Sequence, residues 1–301
     1  MAGELQIPHW EWWIVLYFFM GGVAGGAYFL SAVLGLVGTP EDRPVARLGY
    51  YIAFPAALVC ALLLIVDLGR PERFWHMMVY SNDLLPWPKW DSPMSVGSYA
   101  LLFFGGFSFL SFLDALVETG RIPWAPFRLH YTGWPSMVYS VVGGLFGFFV
   151  TAYTGELLAT SQLPAWENNP FLGALFAASG ASTGMAAIAL VAVLTGRHVG
   201  RSWDKLRRAD SVAIVFEFLA LLAFLAALGA SALVFLSGVN ALVLVGGVVL
   251  VGLTFPLVCQ IRCGFRESHL SQRMTAVTAV LVLLGGLCLR TTIVMGGQGL
   301  L

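Results

Sequence analysis

Charge is what this chain has least of. Lys, Arg, Asp and Glu supply 11% of its 301 residues, against roughly 25% in a soluble domain. So few charges cannot cover a solvated surface, and with 58% hydrophobic residues and a mean hydropathy of +0.83 the chain reads as a polytopic membrane protein. Basic and acidic residues cancel, and the basic ones are scattered rather than gathered in a stripe or arm, which excludes nucleic acid as a partner. Metal ligands are also sparse. His9, His76, His130, His198 and His269 all fall at span ends or in loops, so no pair is available to hold a haem between helices. Cys60, Cys259, Cys263 and Cys288 lack cluster spacing, and Cys60 and Cys288 read as small buried hydrophobes. No haem and no metal cluster is expected in this chain. The first eleven residues contain no Lys or Arg and so lack the positive region of a cleavable signal, which leaves the first helix as an expected permanent span.

What is present is a series of long apolar runs. A helix needs roughly 20 such residues to cross the hydrocarbon, and the candidates are about 12–37, 48–67, 93–113, 134–158, 170–195, 211–236, 239–261 and 274–295. Residues 218–261 carry no charge at all; as one helix they would rise roughly 66 Å, twice the bilayer core. The run must reverse. Ser237-Gly238-Val239-Asn240 supplies the turn, because Gly and Asn tolerate the backbone a tight reversal needs. The expected fold is all-α, eight transmembrane helices in a single integral membrane domain over 1–301, with both termini outside.

Orientation follows from the basic residues. With the N-terminus outside, Arg43, Arg47, Arg121, Arg128, Arg197, Arg201, Lys205, Arg207, Arg208, Arg262, Arg266 and Arg273 all lie on the cytoplasmic side. Only Arg70, Arg73, Lys89 and Arg290 lie outside, which makes them candidates for chemistry rather than topology. Three of them belong to the connection from Asp67 to Ser92, a long segment rich in Pro and Trp that also carries His76. We expect it to be ordered, with Ser92 capping the third helix and Pro93 at its first position, where a missing N–H costs nothing.

A faint repeat divides the chain. Trp10-Glu11 precedes Gly21-x-x-x-Gly25, and Trp166-Glu167 precedes Gly180-x-x-x-Gly184, as two parallel four-helix halves, 1–160 and 161–301, would produce. The same residues also suit interfacial tryptophans and close helix packing. Gly22, Gly25 and Gly26 indicate that something approaches the first helix closely.

The remaining unusual residues converge on the outer ends of helices: Tyr17, Asp67, Arg70, Tyr153, Glu156 and Arg290. Polar groups beside the hydrocarbon are costly unless paired or wetted, so they are candidates for function. The tyrosines also suit an aromatic belt, Asp67 with Arg70 a capping or an ion pair, and Arg290 an outward-snorkelling cation. Asp114 and Glu217 stand apart nearer the inner ends, either as paired structural acids or as members of a proton path.

Four segments together resemble the NrfD/PsrC family, the membrane subunits of polysulfide reductase-type molybdopterin oxidoreductases. They are Leu16-Tyr17-Phe18-Phe19-Met20-Gly21-Gly22-Val23-Ala24-Gly25-Gly26; Asp67-Leu68-Gly69-Arg70-Pro71 with Arg73-Phe74-Trp75 and Ser92-Pro93-Met94-Ser95-Val96-Gly97; Tyr153-Thr154-Gly155; and Arg290 with Gly296-Gly297-Gln298. The resemblance implies a multi-pass subunit of a bacterial or archaeal cytoplasmic membrane that binds a quinone, menaquinone or ubiquinone, near the outer face. It also implies two partners, an iron–sulfur electron-transfer subunit docked there and a molybdopterin or tungstopterin catalytic subunit behind it. Tyr153 matches a tyrosine that hydrogen-bonds the quinone, Tyr17 falls where some relatives place a His, Asp67 and Arg70 match the loop motif beside the pocket, and Arg290 matches the last-helix arginine. Ile14 stands where an amide is expected, and Glu156 adds a carboxylate. Tyr17, Asp67, Arg70, Tyr153, Glu156 and Arg290 are therefore the expected quinone site, with Asp67 or Glu156 exchanging the proton that accompanies each electron. Two alternatives use the same helices. A passive anchor would need no polar cluster, and a secondary transporter would gather its ionisable residues at the midplane rather than at one end.

Overall fold

In a bilayer every backbone polar group must be satisfied within its own segment, so apolar runs of this length become helices. The computed structural model describes residues 10–80, 87–89, 91–123, 133–161, 163–196, 201–265 and 272–300. Eight helices are long and apolar enough to cross a membrane: α1 Trp12–Val37, α2 Pro40–Asp67, α3 Pro93–Glu118, α4 Trp134–Ala159, α5 Leu172–Leu194, α6 Ser202–Val234, α7 Gly238–Arg262 and α8 Gln272–Gly296. The chain is a multi-pass membrane protein.

Three helices outrun their apolar stretches, because polar residues at their ends find partners. The expected 48–67 span begins at Pro40, where the backbone N–H and hydroxyl of Thr39 donate to Asp42 Oδ2 at 2.7 and 3.0 Å in a capping box. Lys205 Nζ closes on the same oxygen at 2.7 Å and ties the start of α2 to α6. In α6, expected from 211, the added polar turns bury Leu206, and Arg207 pairs with Asp204 at 3.4 Å. The third span, expected to end at 113, continues to Glu118, which meets Arg47 of α2 at 3.6 Å.

The expected reversal between α6 and α7 is present. The last turns of α6 tighten to a 3₁₀ helix over Gly229–Val234, Gly238 adopts φ +56°, and Asn240 Nδ2 donates to the Val234 carbonyl at 2.9 Å. Most of α7, Leu242–Thr254, winds as a π-helix. The cap expected from Ser92 differs in detail. Pro93 does occupy the first helical position, but the Ser92 side chain makes no capping bond. Its carbonyl receives the N–H groups of Ser95 and Val96, and the Ser95 hydroxyl donates across to the Met77 carbonyl.

The described part of the 67–92 connection is ordered. A 3₁₀ helix runs Pro71–Met77, and Val79–Tyr80 pairs antiparallel with Trp87–Pro88. Tyr99 of α3 donates to the Met78 carbonyl at 2.8 Å and pins this segment over the start of α3.

At the centre, α1 packs against α2, α4, α5 and α8, and α5 packs against α1, α4, α6 and α8. Small residues set the α1–α5 crossing. A Cβ on Gly26 would stand 1.9 Å from the Gly180 carbonyl oxygen, and one on Gly184 would stand 2.4 Å from the Ala27 nitrogen. Interfacial tryptophans do not account for Trp10 and Trp166. Both are buried, with their rings edge to face at 6.0 Å, and Trp166 Nε1 donates to the Ile293 carbonyl at 2.9 Å.

Candidate functional site

Two of the expected site residues meet at the end of the bundle that carries the 67–92 connection. Tyr17 of α1 is buried, and its phenol lies within electrostatic range of the Cys60 thiol and the Tyr153 phenol. Tyr153 of α4 donates its hydroxyl to the Pro93 carbonyl at the start of α3. Its ring packs against Gly97, where a Cβ would come within 2.2 Å, and stacks on Phe149 at 5.6 Å. A side chain at position 97 would evict the tyrosine.

Two cavities back onto these first turns of α3. One, of about 650 Å³, opens under the loop and is lined by Arg70, Arg73, His76, Lys89 and Ser95 among others. The other, of about 630 Å³, is an apolar trough between α3 and α4, walled by Val96, Phe103, Phe146, Phe149 and Ala152. Tyr153 lines neither cavity, but its neighbours do: Ser95 lines the first, and Val96, Phe149 and Ala152 line the second.

The other expected residues separate. Asp67, at the end of α2, faces Glu11 electrostatically and does not line either cavity. Arg70 lines the loop cavity. Glu156 points to α5, where its Oε1 lies 2.3 Å from the position a Cβ on Gly173 would take.

Arg290 is the most buried of the set and does not snorkel: its exposure is 0%. Its Nε donates to the Phe18 carbonyl at 3.0 Å, and its Nη1 to Ser179 Oγ and the Gly286 carbonyl at 2.9 Å each. The Phe176 ring lies 5.3 Å away. Gly22 makes room for this side chain, since a Cβ there would fall 2.4 Å from Nη2. The opposite charge comes from Glu217, which is 2% exposed and lies within electrostatic range of Arg290. Glu217 therefore does not stand apart.

From there polar groups continue along α6. Asp210, within electrostatic range of Glu217, accepts from Ser182 Oγ at 3.1 Å and from Gln260 Nε2 at 2.6 Å, and Gln260 Oε1 accepts from Ser211 at 2.5 Å. A pocket of about 30 Å³, room for roughly a single water, adjoins Asp210, Gln260 and Thr278. Sequence reasoning missed Asp210, Ser179, Ser182 and Gln260. The available signal was the seven-residue interval between Asp210 and Glu217, two helical turns that share one face.

Asp114 belongs to a separate cluster. It is buried within electrostatic range of Tyr50 and Tyr139. Nearby, Tyr28 and Tyr139 share the Ser111 hydroxyl at 2.9 and 3.2 Å. A cavity of about 210 Å³ joins Asp114 to Arg43, Arg47 and Glu118 at the end opposite the loop. Among the described residues no group of three or more His, Cys, Asp or Glu is placed to hold a metal. His9, His130, His198 and His269 fall outside the described residues.

Comparison with known proteins agrees with this architecture. A polysulfide reductase polypeptide of Wolinella succinogenes, of nearly the same length, is 29% identical, the match covering 96% of this chain and 94% of that one. The "Protein NrfD homolog" of Haemophilus influenzae is 27% identical with the same coverage. A shorter match, 34% identical over 29% of this chain and 21% of the relative, is to one of the subunits of the selenate reductase of Mesobacillus selenatarsenatis. The family model described as "Polysulphide reductase, NrfD" matches residues 3–301, and the chain, with its eight apolar helices, belongs to that family.

Proposed function

We propose that this chain is the quinone-reactive membrane subunit of a respiratory oxidoreductase complex. In this reading it exchanges electrons between a membrane quinone and an iron–sulfur subunit docked at the loop end, with a molybdopterin or tungstopterin subunit beyond. The loop end is extracytoplasmic, both termini lie on that side, and the chain forms two four-helix halves in a bacterial or archaeal cytoplasmic membrane. The full-length relative named as part of a polysulfide reductase and the shorter one named as part of a selenate reductase support a place in a reductase complex.

The observation that carries the proposal is the apolar trough walled by Phe149, the ring on which Tyr153 stacks. Its walls suit an isoprenoid chain, and Tyr153, behind the Phe149 wall and within electrostatic range of Tyr17, suits a ring that bears carbonyl oxygens. A bound quinone supplies two-electron, two-proton chemistry. The protein's own residues do the rest. The Tyr153 hydroxyl donates a hydrogen bond to the ring in exchange for the one it gives the Pro93 carbonyl, Phe103, Phe146 and Phe149 exclude water, and Asp67, close to the bundle surface, holds or releases the proton. Glu156, on the α5 side of the same helix, is the second carboxylate within this end of the bundle. Deeper, the line from Arg290 through Glu217 to Asp210 is a route along which protons could be held between the ends, and Asp114 serves a separate cluster.

The test is kinetic. In the complex purified with its partner subunits, Tyr153→Phe keeps the ring and removes only the hydroxyl. Quinone-dependent turnover should fall about tenfold or more, while the amount of each partner subunit and turnover with an artificial electron donor to those partners stay normal. Unchanged kinetics across quinone concentrations would reject the site.

A further inference from the structure

The loop cavity has a chemistry that a quinone does not use. Its polar lining is cationic: Arg70, Arg73 and Lys89, with His76, Ser92 and Ser95, and no carboxylate among the described residues. This clustering follows from the local backbone. Gly69 leaves α2 at φ +64°, and the chain then winds as a 3₁₀ helix over Pro71–Met77, with Arg73 N donating to the Arg70 carbonyl at 3.0 Å. Three residues per turn bring positions 70, 73 and 76 onto one face. Glu72 falls on another. Arg70 and Arg73 take part in no ion pair among the described residues, and Lys89 Nζ is held beside them by the His76 carbonyl at 2.9 Å. The buried Nδ1 of His76 has no hydrogen-bond partner among the described residues. The floor is the first turn of α3, a helix of 26 residues whose N-terminus adds a partial positive charge.

Two guanidinium groups, an ammonium and a helix N-terminus around one concavity fit a phosphate, which offers several oxygens to forked donors. The source of that phosphate is indicated by the same segment. Phe74 and Trp75, directly after Arg73, are 46% and 45% exposed, and Trp12 and Trp13 are exposed at the start of α1 on the same end. Exposed aromatic side chains of this kind sit at headgroup depth. We propose that the loop cavity binds the phosphate of an anionic phospholipid and so fixes the 67–92 segment at the membrane surface. This goes beyond the quinone site and does not require it.

The test uses the purified complex with its partner subunits, stripped of lipid in detergent. Dioleoylphosphatidylglycerol, dioleoylphosphatidylcholine or inorganic phosphate is then added, and bound species are counted by native mass spectrometry. The wild-type complex should hold the anionic lipid about tenfold more tightly than the zwitterionic one, and millimolar phosphate should not displace it. Arg73→Gln with Lys89→Gln should abolish the preference, and Arg73→Lys should keep part of it, with lipid-free thermal unfolding as the check on folding. Equal binding of the two lipids by the wild-type complex overturns the proposal, whatever the variants do. Displacement by phosphate overturns the lipid source in favour of a free anion. If Arg73→Gln with Lys89→Gln keeps the preference but loses a partner subunit, the cavity serves an acidic protein surface and the proposal also falls.

Discussion

Arg290 of α8 donates to the Ser179 hydroxyl of α5 at 2.9 Å, and Glu217 of α6 lies within electrostatic range of that arginine, with both side chains withdrawn from the surface. Breaking such a buried pair by removing one partner costs about 3–5 kcal/mol, because the other charge is left uncompensated. Glu217→Gln and Arg290→Gln should each lower the thermal unfolding temperature of the detergent-solubilised protein markedly. The double substitution should cost less than the sum of the two. Strict additivity in that cycle would show that the two residues are independent.

Asp210 accepts from two side chains, Ser182 and Gln260. Asp210→Ala leaves both donors unpaired in a buried place, at about 1–3 kcal/mol for each. Loss of the α5–α6–α7 tie should appear as faster hydrogen exchange in α7 near Gln260, with α1–α4 unaffected. Equal acceleration in both sets of helices would mean that Asp210 acts on global stability alone.

Much of this was legible beforehand, and the unread part has a common cause. Apolar length gave all eight helices, and Gly238 with Asn240 gave the reversal between α6 and α7. The resemblance built on Tyr17, the Asp67–Arg70 loop, Tyr153 and Arg290 pointed to the right family. Lateral packing was the weak point. A linear count left Arg290 free to snorkel outward, but glycines at 22 and 286 open an interior slot that only packing reveals. Likewise Asp210 fell one residue outside the expected sixth span, because hydropathy marks where lipid begins and not where a helix does. The approach of Asp67 to Glu11, rather than to Arg70, depends on how α1 and α2 meet and leaves no local trace.

Gly97 and Gly105 lie on the same helix in opposite circumstances. A Cβ at 97 would fall within 2.2 Å of the Tyr153 ring, whereas at 105 it would meet no atom within 4 Å. Gly97→Ala should therefore depress quinone-dependent turnover at least as much as Tyr153→Phe, while Gly105→Ala should leave turnover unchanged and raise helix stability by up to about 1 kcal/mol. Equal effects at the two positions would remove the link between Tyr153 and turnover.

The start of α1 and the end of α8 are fastened by one amide. Gln298 Oε1 accepts from the Trp10 backbone N–H at 2.8 Å, and its Nε2 donates to the Trp10 carbonyl at 3.1 Å and to the Val294 carbonyl at 2.9 Å. These bonds satisfy the backbone just before α1 begins, and they set Trp10 against Trp166 and Phe18. Gln298→Ala should cost roughly 1–3 kcal/mol for the stranded backbone groups. Because the loss is local, hydrogen exchange should quicken at Trp10–Ile14 and in the last turn of α8 before the bundle as a whole is affected. Gln298→Glu separates geometry from polarity: a carboxylate still accepts from the Trp10 N–H but cannot donate to its carbonyl, so protection should fall between wild type and Gln298→Ala. If Gln298→Glu matched wild type, the acceptor half of the bracket alone would hold α1 in place.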